Sequence, residues 1–297
     1  MRYIISGSKG LIGERLKLRL DNEGNQCIME IDQRLGSNLL SLPSYQLTQE
    51  TQYADIFFHL GAYTKINETV KNPALSHLNN ACGTYEALEF CRRNGIKKFV
   101  YMSSSRTLSK EENPYTASKK YGEHLCEAYK QCYGIDYLII RPSTVYGAHH
   151  DLTTRLITTW VINALKNKSL VLYGDPRTKT LDFTYVEDFV DGIMCLLRNW
   201  DRAKNDWYDI CGDDCRKLID VARIISEVIY KKCFKEFDLP FAIKMEIKKS
   251  EIAQPQQVKI DISKLKKFGY NPKVKIEEGV EKLVDFYLNE GRKWVEN

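Results

Sequence analysis

Gly7-Ser8-Lys9-Gly10-Leu11-Ile12-Gly13 is the stretch that decides the fold of this chain. Before it, Tyr3–Ser6 is a short apolar run. After it, the apolar spacing predicts an amphipathic helix to about Asn22. Glycines between a strand and a helix suit a phosphate-binding turn. Gly7 makes the tight bend, Gly10 lets the backbone approach a pyrophosphate, and Gly13 permits close helix–strand packing. Lys9, Leu11 and Ile12 complete the loop at the helix N-terminus, where N–H groups and the dipole favour an anion. A glycine triplet alone is weak evidence. Here a second strand, Gln26–Ile31, ends at Asp32, nineteen residues after Gly13. An acid there accepts hydrogen bonds from the ribose hydroxyls of a dinucleotide, and it repels the 2′-phosphate that separates NADP from NAD. Arg34 is the opposing signal, because it can accommodate that phosphate.

About a hundred residues downstream stands Tyr115-Thr116-Ala117-Ser118-Lys119, preceded by Ser103-Ser104-Ser105. Tyr115 and Lys119 are four apart on a predicted helix over Pro114–Tyr133, so they share a face. A free tyrosine ionises near pH ~10 and is a poor base at neutral pH. A lysine ammonium beside it favours the phenolate. Ser105 ends the preceding strand, where its hydroxyl can bind a substrate oxygen. A YxxxK pair alone is ordinary surface sequence. After a strand ending in serines, downstream of a dinucleotide turn, it predicts hydride chemistry at a hydroxyl-bearing carbon.

The first two-thirds of the chain alternates strand and helix patterns. Strands are expected at Ile56–Leu60, Lys98–Met102 and Tyr137–Arg141, and helices at Pro73–Asn94 and Pro114–Tyr133. That rhythm implies a doubly wound parallel sheet of the Rossmann type. Beyond Ala148 the rhythm loosens. Leu170–Tyr173 and Trp207–Ile210 read as strands among helices such as Val221–Tyr230 and Ile276–Leu288. The expected division is a dinucleotide-binding domain over 1–147, with a segment near 182–200 packing back onto it. A smaller, interdigitated α/β substrate domain covers 148–297. The 297 residues are 43% hydrophobic, enough for such cores. Nine cysteines form no CxxC pair, and no histidine cluster accompanies Cys211 and Cys215, so no metal site is expected. The chain reads as a cytoplasmic protein with reduced thiols, no signal peptide and no membrane-spanning run. The net charge of +5 is scattered and no nucleic-acid motif accompanies it, so the expected partner is an anionic small molecule.

The ordered motifs resemble those of the NAD-dependent sugar-nucleotide epimerase/dehydratase family, the extended short-chain dehydrogenase/reductases of carbohydrate metabolism. The resemblance runs from the glycine turn through His59-Leu60-Gly61-Ala62, Asn80-Ala81-Cys82-Gly83-Thr84 and Phe99–Ser105. It continues in Arg141-Pro142-Ser143-Thr144-Val145-Tyr146-Gly147, Asp182–Asp188 and Asp261–Lys264 with Phe268–Pro272. It implies Ser105, Tyr115 and Lys119 as the catalytic set. It implies cofactor contacts from Leu60, Gly61 and Ala62 on the adenine side, Asn80 at the pyrophosphate, and Ser103, Tyr115, Lys119, Pro142 and Thr144 around the nicotinamide. A homodimer built on the Pro73–Asn94 and Pro114–Tyr133 helices is a habit of the family.

Departures from the family pattern narrow the reaction. Dehydratases carry an Asp-Glu pair after the hydroxyl residue; this chain has Arg106-Thr107. Where the family has a turn asparagine and two arginines for the substrate diphosphate, this chain has Thr144, Leu181 and Gln257. Arg155, Arg177 and Lys179 are candidates to replace the lost charge, with Thr64 and Arg106 beside the sugar. Arg106 reads equally as a salt-bridge partner of Glu111 or Glu112. The leading expectation is an NAD-dependent 4-epimerase of the UDP-glucose/galactose type. The alternative is a sugar-nucleotide oxidoreductase, either a 4-keto sugar reductase or a dehydrogenase. A non-catalytic dinucleotide sensor comes last, because the Tyr–Lys pair is kept.

Overall fold

The computed structural model describes residues 1–44, 53–149, 155–234, 243–255, 257 and 260–289. The described strands are β1 (Arg2–Ser6), β2 (Gln26–Ile31), β3 (Ile56–His59), β4 (Lys98–Met102), β5 (Asp136–Pro142), β6 (Thr144–Tyr146), β7 (Leu170–Tyr173), β8 (Thr180–Tyr185), β9 (Asp206–Ile210), β10 (Cys215–Lys217) and β11 (Met245–Lys248). The chain divides into two compact units, and it crosses between them more than once.

The first unit comprises Met1–Pro142, Val190–Ile210 and Asp261–Asn271. Its six strands all pair in parallel, in the order β2-β1-β3-β4-β5-β9. Tyr3-Ile4-Ile5, Phe57-Phe58, Phe99-Val100-Tyr101 and Leu138-Ile139-Ile140 are buried without alternation. Continuous apolar runs of this kind mark strands covered on both faces, as parallel crossovers require. Each such side chain contributes roughly 1.5–3 kcal/mol by leaving water. Trp207–Ile210, expected in the smaller domain, is instead part of the sixth strand of this sheet. Its partner β5 lies more than sixty residues earlier in the chain. Local periodicity cannot report a pairing at that separation.

From β1 the chain passes to β2 on one side and β3 lies on the other. This reversal opens a crevice at the carboxyl ends of the strands, the place where doubly wound sheets take their ligands. The helix expected over Pro73–Asn94 is not uniform. Ala74–Ser76 is α-helical, His77–Cys82 is a π-helical turn, and Gly83–Arg93 is α-helical again. Such wider turns occur at functional sites. Here the turn holds the buried Asn80, whose amide pairs with the backbone of Tyr63.

The second unit comprises Ser143–Phe189, Cys211–Ile260 and Pro272–Asn297. It holds a three-stranded sheet, β10-β8-β6, and the parallel pair β11-β7. Tyr146, Trp160, Phe183, Tyr185, Ile225, Leu283 and Tyr287 form its core. Among the described residues, no helix of either unit is long and apolar enough to cross a membrane.

Candidate active site

The glycine turn is shaped by contacts that only glycine permits. Gly7 has φ +72°, and a Cβ there would lie 2.8 Å from the Gly61 nitrogen. A Cβ on Gly13 would lie 2.0 Å from the Gly7 carbonyl oxygen, so the helix Leu11–Asn22 sits directly on the loop. At Gly10 a Cβ would meet only the Gly7 oxygen, at 3.3 Å; the space is otherwise open. Gly10 is also the helix N-cap, and no side chain caps it. An open cradle at a helix N-terminus is what a pyrophosphate requires. Asp32 closes the same loop: its Oδ2 accepts from the Lys9 N–H and its Oδ1 from the Arg34 N–H, both at 3.0 Å. A carboxylate has about four acceptor sites, so two remain for ribose hydroxyls. The Arg34 guanidinium donates to the Lys9 carbonyl, which binds it to the glycine loop. These residues fit a dinucleotide.

β3 delivers the second wall. The Leu60 N–H donates to the Ser6 carbonyl at 3.2 Å and the Gly61 N–H to the Ser6 hydroxyl at 3.1 Å. His59 is buried between Ser6 Oγ, 2.8 Å from Nδ1, and Thr84 Oγ1, 3.0 Å from Nε2. Thr84 donates its only proton to the Asn80 carbonyl at 2.6 Å. His59 therefore donates from Nε2 and accepts from Ser6 at Nδ1. Burial, and then the Lys119 charge, push its pKa down to about 3, so the ring is neutral.

The helix Pro114–Tyr133 carries Tyr115 and Lys119. Asn113 caps it by accepting from the Thr116 N–H at 2.9 Å, and Pro114 occupies its first turn. Tyr115 is buried. Lys119 is also buried; its Nζ donates to the Met102 carbonyl at 2.8 Å and lies 6.0 Å from the centre of the Tyr115 ring. Burial pushes the Lys119 ammonium down to about 7, while Glu123 opposes that shift. Ser105 is buried and opens the turn Ser105–Leu108 after β4. Arg106 donates its N–H to Ser104 Oγ at 3.2 Å. Of its two expected carboxylate partners, Glu111 accepts from Ser109 and is held below its ordinary pKa by that bond and, in part, by the Arg106 charge, while Glu112 pairs with Lys120.

Two contributors escaped the sequence reading. Ser118 donates to the Tyr115 carbonyl at 2.7 Å and accepts from Asn80 at 3.0 Å, joining the π-helical turn to the tyrosine. Glu123 accepts from Ser103 at 2.5 Å and pairs with Arg141 at 2.6 Å. Its signal was present, since Tyr115, Lys119 and Glu123 recur at intervals of four. Of the remaining candidates in the first unit, Thr64 and Ala62 follow β3, and Pro142 ends β5. In the second unit, Thr144 opens β6 opposite Phe183. Arg155 precedes the helix Leu156–Leu165, Lys179 is buried, and Arg177 is exposed and paired with Asp175 at 3.1 Å. Leu181 and Arg216 are cross-strand neighbours in β8 and β10.

Asp209 of β9 lies in register with Arg141 of β5 and is buried. Its Oδ1 accepts no hydrogen bond from the described residues. Burial raises its carboxyl pKa to about 6; Arg141 opposes the rise and Glu123 adds to it. Below the unfolded-state value the acid is protonated in both states and costs nothing. Above pH 6 it is ionised in both, and the penalty, on the order of 3 kcal/mol, is fully present. Asp209→Asn is therefore expected to stabilise the protein by roughly 1–3 kcal/mol at pH 7.5. The gain should shrink below pH 6 and vanish below about pH 4. Urea denaturation at three pH values checks this, and a variant less stable than the parent at pH 7.5 contradicts it.

Comparison with known proteins gives the family and the fold. The model of the family described as "NAD dependent epimerase/dehydratase family" matches residues 3–211. A putative UDP-glucose 4-epimerase of Methanocaldococcus jannaschii is 26% identical, over 97% of this chain and 99% of its own. A dTDP-glucose 4,6-dehydratase of Escherichia coli is 25% identical, over 100% and 95%. The crystal structure of a UDP-glucuronic acid 4-epimerase from Bacillus cereus, in complex with UDP-glucuronic acid and NAD, superposes with a TM-score of 0.83. That match has 24% identity and covers 96% of this chain and 98% of the other. With the glycine cradle, the acid after β2 and the Tyr–Lys helix in place, the chain belongs to the NAD-dependent epimerase/dehydratase family, and its cofactor is NAD.

Proposed function

We propose that the protein is a 4-epimerase acting on a nucleotide-linked hexose of the UDP-glucose/galactose type. The first unit is read as the NAD-binding domain and the second as the substrate domain. Gly7–Gly13, Asp32, Leu60–Ala62 and Asn80 hold the cofactor. When bound, NAD would supply the reversible hydride acceptor for C4 of the sugar. Tyr115 accepts the proton of the C4 hydroxyl and gives it back. Lys119, held on the Met102 carbonyl, supplies the positive charge that favours the phenolate. The Ser105 hydroxyl orients the sugar oxygen. Inversion requires the 4-keto sugar to turn before the hydride returns.

The observation that carries epimerisation over dehydration is the turn after Ser105. Expelling water needs a further acid and base beside the tyrosine. The turn supplies Arg106 and Thr107, and the Thr107 hydroxyl is engaged with the Ser104 carbonyl and Glu123. Glu123 is itself held by Arg141. The reading includes a homodimer, supported by the exposed Leu78, Tyr85 and Tyr121 on the helical segments between 77 and 133.

Incubation of purified protein with NAD and UDP-glucose tests the reaction. UDP-galactose is expected, with no net change in the nicotinamide absorbance band. Stoichiometric formation or consumption of reduced nicotinamide would assign a dehydrogenase or reductase instead. Release of a 4-keto-6-deoxy sugar would assign a dehydratase.

A further inference from the structure

Glu123 follows Lys119 by one helical turn, on the same face of the Pro114–Tyr133 helix. Its Oε1 lies 2.5 Å from Ser103 Oγ, 2.8 Å from Arg141 Nε and 3.3 Å from Thr107 Oγ1; its Oε2 lies 2.6 Å from Arg141 Nη2. Ser103 and the Arg141 guanidinium are its main donors; the Thr107 hydroxyl shares its one proton with the Ser104 carbonyl at 2.8 Å and is the weaker contact. They come from three segments: the residue after β4, the turn that carries Ser105, and β5. The side chains of Arg141 and Glu123 are only 12% and 11% exposed.

We infer that Glu123 is a positioning residue. It clamps the Ser105 turn to the helix that carries Tyr115 and Lys119, and its charge favours the ammonium form of Lys119. Lys119 is faced by Tyr115 and Glu123 from its own helix, by the Tyr101 ring of β4 at 5.3 Å, and by the neutral His59 of β3. Arg141 of β5 stands behind Glu123, with Asp209 of β9 behind that. Glu123 is the negative charge nearest the ammonium in this set. Its removal leaves the ammonium without an anion and Arg141 less compensated, and both changes lower the pKa of Lys119.

The inference deepens the proposed function and rests on it for activity readouts alone. The test is Glu123→Gln, which keeps the shape and loses the charge. Arg141 retains Asp209 as a neighbour, so this variant is expected to fold. Protein labelled with ¹³C at lysine Cε, with Lys119→Met for assignment, reads the Lys119 titration directly. In Glu123→Gln the midpoint should fall by about one pH unit. NAD affinity should stay within about twofold. The kcat should fall about tenfold at pH 8, with the alkaline limb of the profile moved toward neutrality. Ser103→Ala keeps the charge and removes one arm of the clamp, the 2.5 Å bond to Glu123. It should leave the Lys119 titration unchanged while amide exchange in the Ser105–Leu108 turn quickens severalfold. An unchanged Lys119 midpoint in Glu123→Gln overturns the charge role. Unchanged exchange in Ser103→Ala overturns the clamp. If the parent protein turns over no nucleotide sugar, the proposed reaction fails while both of these measurements still decide the role of Glu123.

Discussion

Tyr115→Phe is expected to lower kcat by about 10³-fold while leaving NAD binding within severalfold of the parent. The substitution removes one oxygen and keeps the buried ring, so packing around it is preserved. A lost hydroxyl costs about 1 kcal/mol of stability, too little to unfold a protein of this size. In the proposed mechanism, what is lost is the group that takes and returns the C4 proton. Without it the hydroxyl must ionise unaided, and that penalty falls on the transition state rather than on substrate binding. The measured signature is thus a fall in kcat and kcat/KM together, with calorimetric NAD affinity and thermal midpoint close to the parent. Lys119 sharpens the expectation. Its ammonium, pushed down to about 7 by burial, is present below neutrality and lost above it. The residual rate of Tyr115→Phe should therefore lack the alkaline limb that Lys119 gives the parent. Full turnover in this variant would remove Tyr115, and with it the proposed mechanism, from consideration.

The comparison of Tyr115 with Glu123 shows what was legible in the sequence. The placement of Tyr115 and Lys119 was readable because it is local: two residues four apart on one helix, after a strand. Glu123 sits at the next interval, yet its meaning depends on Ser103, Thr107 and Arg141, which come from other segments. Spacing showed that it shares the face, not that a guanidinium from β5 would meet it. Strands β2, β4 and β7 were readable to the residue, since each is a compact run between turn signals. β9 was misassigned because its partner β5 is remote in the chain. The Pro73–Asn94 segment was readable as helix and not as α–π–α. Periodicity over so many residues averages away a single wider turn, and Asn80 pairs with Tyr63, seventeen residues upstream. Asp209 looked like any strand-end acid; only its burial beside Arg141 makes it costly.

Gly13→Ala and Gly10→Ala should fail in different ways, and the difference separates the fold of the glycine turn from its function. At Gly13 the added carbon would sit 2.0 Å from the Gly7 oxygen, 2.8 Å from the Gly7 carbonyl carbon and 2.9 Å from Ser8 Cα. All three are backbone atoms, so no rotamer change relieves the clash. The helix must lift from the loop, and the N–H groups at its start move with it. Overpacking of this kind costs roughly 1–3 kcal/mol. At a few degrees per kcal/mol, the thermal midpoint should fall by about 2–10 °C. Because the displaced groups are those that would face a pyrophosphate, NAD affinity should fall by at least about 100-fold. At Gly10 the added methyl meets one oxygen at 3.3 Å and otherwise projects into open space. The apo protein should therefore melt within a degree or two of the parent. The methyl nevertheless occupies the cradle that a pyrophosphate needs, so NAD affinity should fall by about tenfold or more. Calorimetric titration with NAD and thermal melts of the apo proteins read both quantities. Parental stability in Gly13→Ala would show that the helix does not rest on the loop. Parental NAD affinity in Gly10→Ala would place the pyrophosphate somewhere other than this cradle.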